Sequence, residues 1–301
     1  MPYVYLIGAT ASTATANLLN AFFARKNKNS KNSSGFYSLL YAAFAFLSWF
    51  ILFLIKPSFD WTTVWYAIGF AVFYFMGVSG YALAFKSGPV MLTSLFISLS
   101  LIGATVWGFF FWEDEFTYLV GIGLALVVAA VALCLYKGKA NGQTKDDEQE
   151  NQETTPKISV KWILFVLLSF VGNAGCTIVQ RTQQTAQQGQ HGNLLMLVAT
   201  GIATTVFAIT YFAKDASDCK IMLKTTGHFP MISGVCNFAL NFFVILMAST
   251  TLSPSLIYPV ISVGSLAIVT IASIFFFKEK MKWWQWLGVA LGAAAVAILS
   301  I

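Results

Sequence analysis

The sequence predicts an all-α polytopic membrane protein, with ten transmembrane helices arranged as two inverted five-helix repeats. Three observations lead there. First, only 10% of residues are charged against 57% hydrophobic, and several apolar runs exceed the roughly 18 residues needed to cross a hydrocarbon core of about 30 Å. A soluble domain of this length would carry far more charge, and an outer-membrane barrel would show short alternating strands. Second, residues 137–160 (KGKANGQTKDDEQENQETTPKISV) are almost free of apolar side chains. They cannot bury enough surface to offset their ordering entropy, so they form a solvated linker between two blocks, 1–136 and 161–301. Third, residues 88–136 slide onto 253–301 without a gap. Pro89 falls on Pro254, Thr105 on Thr270, Gly123 on Gly288 and Ala129 on Ala294. About a quarter of the positions agree, against roughly a tenth expected from composition. Five spans per half is odd, so the second copy enters from the opposite side, and inverted repeats meet at a central site with two interchangeable conformations.

The first span, residues 3–24, lacks the basic leader of a signal peptide, and its Arg25 and Lys26 follow the apolar run. Thr10, Thr13, Asn17 and Asn20 recur at helical spacing, a polar face that belongs inward. Packing by interhelical hydrogen bonds explains any single one of these residues as well as ligand contact does. The second span, 36–55, is nearly featureless and reads as lipid-facing. The third, 61–85, starts with the interfacial pair Trp61 and Trp65. It carries Tyr74, Ser79 and Tyr81 between Gly77 and Gly80, which permit close helix approach. Pro89 suits the first turn of the fourth span, 90–112, which holds Thr93, Ser94, Ser98 and Ser100 and ends in Glu113, Asp114 and Glu115. The fifth, 116–136, is rich in Gly and Ala and suits tight packing.

After the linker the pattern recurs. The sixth span, 161–181, aligns Asn173, Thr177, Gln180 and Arg181, with Asn173 near mid-span, the costliest depth for an unsatisfied amide. The seventh, 193–213, is apolar like the second, and a loop with Lys214, Lys220 and Lys224 follows. The eighth, 227–249, places Ser233, Asn237 and Asn241 at successive turns. The ninth, from Pro254, contains Tyr258, Pro259, Ser262 and Ser265. Pro259 removes a backbone hydrogen bond and is expected to loosen the helix, as in broken helices that line cavities. The tenth, 283–301, opens with Trp283, Trp284 and Trp286 and offers Gly288 and Gly292 as a packing face.

Ten spans as five plus five, a proline opening spans four and nine, a carboxylate closing each, and Gly/Ala-rich spans five and ten resemble the drug/metabolite transporter superfamily with two EamA-type domains. The resemblance covers the whole chain. It implies export or exchange of small organic solutes through a cavity lined by spans one, three, four, six, eight and nine, with two and seven peripheral. The family's terminal glutamate is matched by Glu279, and more loosely by Glu113 or Asp114.

The net charge of +6 comes from Lys and Arg between apolar runs with no basic stripe, so no nucleic-acid partner is expected and the charges act as topology signals. They gather in alternate loops, with Lys56 and Arg181 alone on the other side. The positive-inside rule then places the linker in the cytoplasm and both termini outside a cell membrane. The resemblance implies cytoplasmic termini; the lopsided charge of short loops is the stronger guide. Cys134, Cys176, Cys219 and Cys236 form no CxxC, and His191 and His228 are isolated, so no metal or other cofactor is expected.

No Asp, Glu, Lys or His lies in the middle third of a span, where a proton-coupled carrier keeps a carboxylate. The expected site is neutral: Asn17, Tyr74, Tyr81, Asn173, Asn237, Asn241 and Tyr258. Such a lining suits a neutral or zwitterionic polar metabolite, amino acid or sugar-like, carried by a monomer or homodimer in the lipid bilayer. A lipid or lipid-linked carrier flippase and a non-transporting accessory subunit are the alternatives. An enzyme would need a nucleophile with a base or a metal constellation.

Overall fold

A computed structural model describes residues 2–100, 107, 111, 118–136, 159–214, 216–248, 254–277 and 283–298. Among them are eleven helices and no strand: α1 (Pro2–Lys26), α2 (Ser33–Ile55), α3 (Trp61–Ser87), α4 (Val90–Ser98), α5 (Tyr118–Leu135), α6 (Val160–Ala186), α7 (Gly192–Phe212), α8 (Cys219–Thr226), α9 (His228–Ala248), α10 (Pro254–Phe277) and α11 (Trp283–Ile298). Five helices are long and apolar enough to span a membrane: α2, α3, α6, α7 and α9. The chain is a helical membrane protein. α1, 25 residues long, stands outside that set because Thr10, Ser12, Thr13, Asn17 and Asn20 dilute its apolar content.

Local chemistry sets the helix starts. Asp60 caps α3 by accepting the Thr63 N–H at 2.6 Å, and Ser159 caps α6 by accepting the Trp162 N–H at 3.1 Å. Pro89 stands at the cap position of α4, where its carbonyl accepts both the N–H (3.0 Å) and the hydroxyl (2.7 Å) of Thr93.

Several sequence expectations need correction. α6 continues past Arg181 to Ala186, where the Thr182 hydroxyl bonds back to the Ile178 carbonyl at 2.8 Å, before the left-handed turn at Gln188, Gly189 and His191. α8 lies where a loop was expected; it buries Met222 and Thr226 and exposes Lys220 and Lys224. α2 is not simply lipid-facing. It buries Tyr37, Tyr41, Ala42, Ala45 and Trp49 and exposes Leu47, Phe50, Ile51, Leu54 and Ile55 on its other side. Both faces are apolar or aromatic, so no polar contrast marks the inward one. α7 behaves likewise, burying Leu195, Met196, Ala199 and Phe207 and exposing Ile209 and Phe212. α10 runs unbroken through Pro259. The linker residues 137–158, the side chains of Tyr258 and Pro259, and Glu113, Asp114, Glu115 and Glu279 lie outside the described residues.

The most extensive packing joins α3 to α6, α1 to α9, α5 to α11 and α2 to α7; α2 to α9, α3 to α7 and α1 to α10 follow. α3 and α6 are antiparallel: Phe73 meets Gly175, Gly77 meets Gly172, and Gly80 meets Ser169. α1 and α9 are antiparallel too, from Gly8 against Phe243 to Phe22 against Phe229. α2 runs against α3, with Tyr37 beside Tyr81, and against α7, with Phe46 beside Gly201. It runs parallel to α9, with Tyr41 beside Gly234 and Trp49 beside Phe238. α1 is parallel to α10, from Thr10 against Gly264 to Phe22 against Phe277. Gly292 packs against Leu95 and Ala130, so the small face of α11 is used inside the molecule.

Candidate functional site

Where α1, α3, α6 and α9 converge, a cavity of about 130 Å³ remains. α1 contributes Ser12, Thr13, Ala16 and Asn17; α3 contributes Tyr74, Gly77, Val78 and Tyr81; α6 contributes Asn173; α9 contributes Cys236, Asn237 and Leu240. Tyr41 of α2 and Ile97 of α4 complete the wall. The lining residues of α1, α3, α6 and α9 lie away from the helix ends, whereas Ile97 sits at the end of α4.

Five of the seven residues expected from sequence therefore meet at one cavity: Asn17, Tyr74, Tyr81, Asn173 and Asn237. Asn241 does not line it. Its amide nitrogen donates to the Asn237 carbonyl one turn earlier at 2.9 Å, so one donor of the group assigned to a ligand is taken by the helix's own backbone. Tyr258 has a helical backbone in α10, and its side chain lies outside the described residues. Ser12, Tyr41 and Cys236 were not anticipated. Ser12 and Cys236 each sit beside a residue that was, and Tyr41 stands on a helix read as featureless.

The polar groups are held in place by their own hydrogen bonds. Tyr74 donates its hydroxyl to Asn237 Oδ1 at 3.3 Å, linking α3 to α9. Asn173 donates to Ser169 Oγ at 3.4 Å, and Ser169 donates to the Gly77 carbonyl at 3.2 Å, tying α6 to α3. Thr10 and Thr13 bond back to the Leu6 and Ala9 carbonyls. Among the described residues, the wall contains no charged side chain. Among the described residues no group of three or more His, Cys, Asp or Glu is placed to hold a metal ion, and Cys176, Cys219 and Cys236 are free thiols.

From the cavity toward the end carrying Arg25 and Lys86, the core becomes aromatic and then closes. Tyr37, Tyr41 and Tyr81 have ring centroids 5.8 to 6.3 Å apart. Next come Phe23 against Phe36 at 6.1 Å and Phe22 against Phe277 at 4.7 Å. At the end itself Lys86 Nζ donates to the Ser30 carbonyl and to Ser33 Oγ, both at 2.7 Å, and Ser30 Oγ donates to Asp218 Oδ2 at 2.8 Å. Asn27 donates to Thr226 Oγ1 at 3.0 Å. Arg25 donates to the Phe277 carbonyl at 3.2 Å, at the negative end of the α10 dipole, and lies 4.3 Å from the Phe277 ring centre. The α1–α2 turn is thus tied to α3, α8 and α10.

At the opposite end, Gln187 beyond α6 donates to Asp60 Oδ2 at 3.2 Å. The Thr63 N–H and then its hydroxyl hold the Asp60 carboxyl below its usual range, with His191 assisting.

No family model and no curated protein matches the chain. Among solved structures, 25 chains match it. One, known only as "Crystal structure of protein", superposes with a TM-score of 0.57 at 12% identity, covering 96% of this chain and 95% of that one. At that identity the likeness is one of fold alone, and it extends over essentially the full length of both chains.

Proposed function

We propose that this protein is a secondary transporter, an exporter or exchanger of a small uncharged or zwitterionic polar metabolite of amino-acid or sugar-like kind, working by alternating access around the central cavity. The carrying observation is that cavity: Asn17, Tyr74, Tyr81, Asn173 and Asn237, all neutral and able to hydrogen-bond, come from four helices distributed over both halves of the chain and line one space. Amides at mid-helix in a membrane protein are costly unless they have partners, and a polar solute supplies them.

Helix packing supports the inverted-repeat arrangement on which this mechanism rests. Pair α1 with α6, α2 with α7, α3 with α9, α4 with α10 and α5 with α11. Exchanging partners turns the α3–α6 contact into α9–α1, α2–α9 into α7–α3, and α1–α10 into α6–α4, and all six contacts are present. The first three pairs also run in opposite directions, as oppositely inserted copies would. The closed basic end supports a state in which access from that side is shut. The same reading makes the protein a ten-span member of the drug/metabolite transporter superfamily in a cell membrane, with no enzymatic activity and no cofactor.

A thermal-shift screen of the purified protein against amino acids, sugars, nucleosides and polyamines tests this, because a carrier is stabilised by the solute it binds. A saturable shift whose half-saturation moves to higher solute concentration in both Asn173→Ala and Asn237→Ala is the expected result. A stabilising compound that acts equally on both variants would move the site elsewhere.

A further inference from the structure

Four buried polar atoms beyond the cavity, toward the basic end, make no hydrogen bond among the described residues: Asn20 Nδ2, Tyr37 OH, Tyr81 OH and Ser233 Oγ. Asn20, Tyr37 and Ser233 are at most 1% exposed and Tyr81 is 8% exposed. They belong together. Tyr37 lies beside Ser233 and Tyr81, and Tyr81 beside Asn20. Three of them follow from the cavity wall by one helical turn, about 5.4 Å. Asn20 succeeds Asn17 on α1, Tyr37 precedes Tyr41 on α2, Ser233 precedes Asn237 on α9, and Tyr81 itself belongs to the wall.

A buried donor without a partner is expensive, and a group of four such donors is a setting in which a shared oxygen can bridge them. Size points the same way. The cavity, about 130 Å³, approximates a space that holds one benzene-sized ring, about 150 Å³, so a larger solute must reach past it.

We infer that Asn20, Tyr37, Tyr81 and Ser233 form a second compartment of the binding site, which takes an uncharged oxygen-bearing group, a hydroxyl or carbonyl, of the bound solute. This rests on the carrier reading. All four groups can donate, and none carries charge. A carboxylate or ammonium there would lack a counter-charge, because Lys86 and Arg25 are engaged at the end of the molecule. Phe23 and Phe36 close the compartment on that side, and Tyr37 packs on Phe23 at 5.3 Å.

The test uses the purified full chain and five probes at millimolar concentration: xylose, sorbitol, nicotinamide, glutamate and putrescine. The expected result is saturable thermal stabilisation by a neutral hydroxyl or carbonyl probe. The Tyr37→Phe/Ser233→Ala double variant should weaken its half-saturation about tenfold, the equivalent of one or two hydrogen bonds. Thr200→Ala, buried on α7 and bonded within its own helix, should leave binding unchanged. Preference for a charged probe, or equal binding by the double variant, overturns the inference. A readout independent of these ligands is the reaction of Ser233→Cys with 2-hydroxyethyl methanethiosulfonate, after Cys134, Cys176, Cys219 and Cys236 are replaced by alanine. Modification supports a compartment open to neutral polar groups; an inert thiol overturns it. If no probe binds the wild type, the carrier reading fails, and the labelling still decides the compartment.

Discussion

Two antiparallel helix pairs flank the cavity, and they are built differently. α3 and α6 touch through glycine: a Cβ added at Gly172 would collide with the Gly77 backbone, and one at Gly80 with the Ser169 and Phe165 backbones. α1 and α9 touch through rings, with Tyr5 stacked on Phe243 at 6.1 Å and Phe22 on Phe229 at 6.4 Å. Backbone against backbone leaves no room for adjustment, whereas stacked rings can slide and rotate. Under the proposed repeat pairing these two interfaces are counterparts, with one architectural position filled by a fixed contact in one case and an adjustable one in the other. The cavity draws Tyr74 and Asn173 from the fixed pair and Asn17 and Asn237 from the adjustable one.

The largest effect that would separate the two is steric. Gly172→Ala should destabilise the protein by about 3 kcal/mol or more, because neither backbone can retreat. Gly8→Ala, whose Cβ would meet only the tip of the Phe243 ring at 2.6 Å, should cost about 1 kcal/mol or less. Thermal denaturation in detergent measures both. Equal losses would mean that the ring interface is as rigid as the glycine one.

The sequence made part of this visible, and the limits have physical causes. Asn17, Asn173 and Asn237 stood out because an amide at mid-span is costly wherever it lies, and Gly77 and Gly80 because small residues mark close approach. The inward face of α2 was hidden, since Tyr41 and Trp49 are no more polar to a pattern search than the outward Phe50. Asn241 misled because a shared face does not say whether an amide turns to the cavity or to its own backbone. The closed basic end could not be seen at all. Ser30 and Asp218 are separated by 188 residues, and no local pattern connects them.

A medium effect probes the cavity from each pair. Asn237→Ala, which also removes the acceptor of Tyr74, should weaken solute binding about tenfold or more. Asn173→Ala removes an amide whose bond to Ser169 is longer, and should weaken it by a similar or smaller factor in the same titration. A loss in one variant alone would assign the solute to one pair.

A smaller effect tests the closed end. Lys86→Met removes two hydrogen bonds to the α1–α2 turn and should cost about 1–3 kcal/mol. It should also raise the labelling rate of a thiol introduced by Ala24→Cys, a buried position on α1 near this end. An unchanged rate would show that Lys86 does not hold the end shut.

The smallest effect is at the opposite end. Because the folded Asp60 carboxyl is held below its usual range, its contribution is present above the unfolded carboxylate value of about 3.9. It is lost as pH falls through the lower folded value. Asp60→Asn should flatten that acid limb of the melting temperature and leave the profile near neutrality almost unchanged.

The native thiol of Cys236, in the cavity wall beside Asn237, reports most directly on whether a wet polar space lies at the centre of this protein. With Cys134, Cys176 and Cys219 replaced by serine and the protein in liposomes, a membrane-impermeant methanethiosulfonate reagent should modify Cys236, and a bound solute should slow it. Modification by lipid-soluble reagents alone would place Cys236 against acyl chains and contradict a central aqueous site.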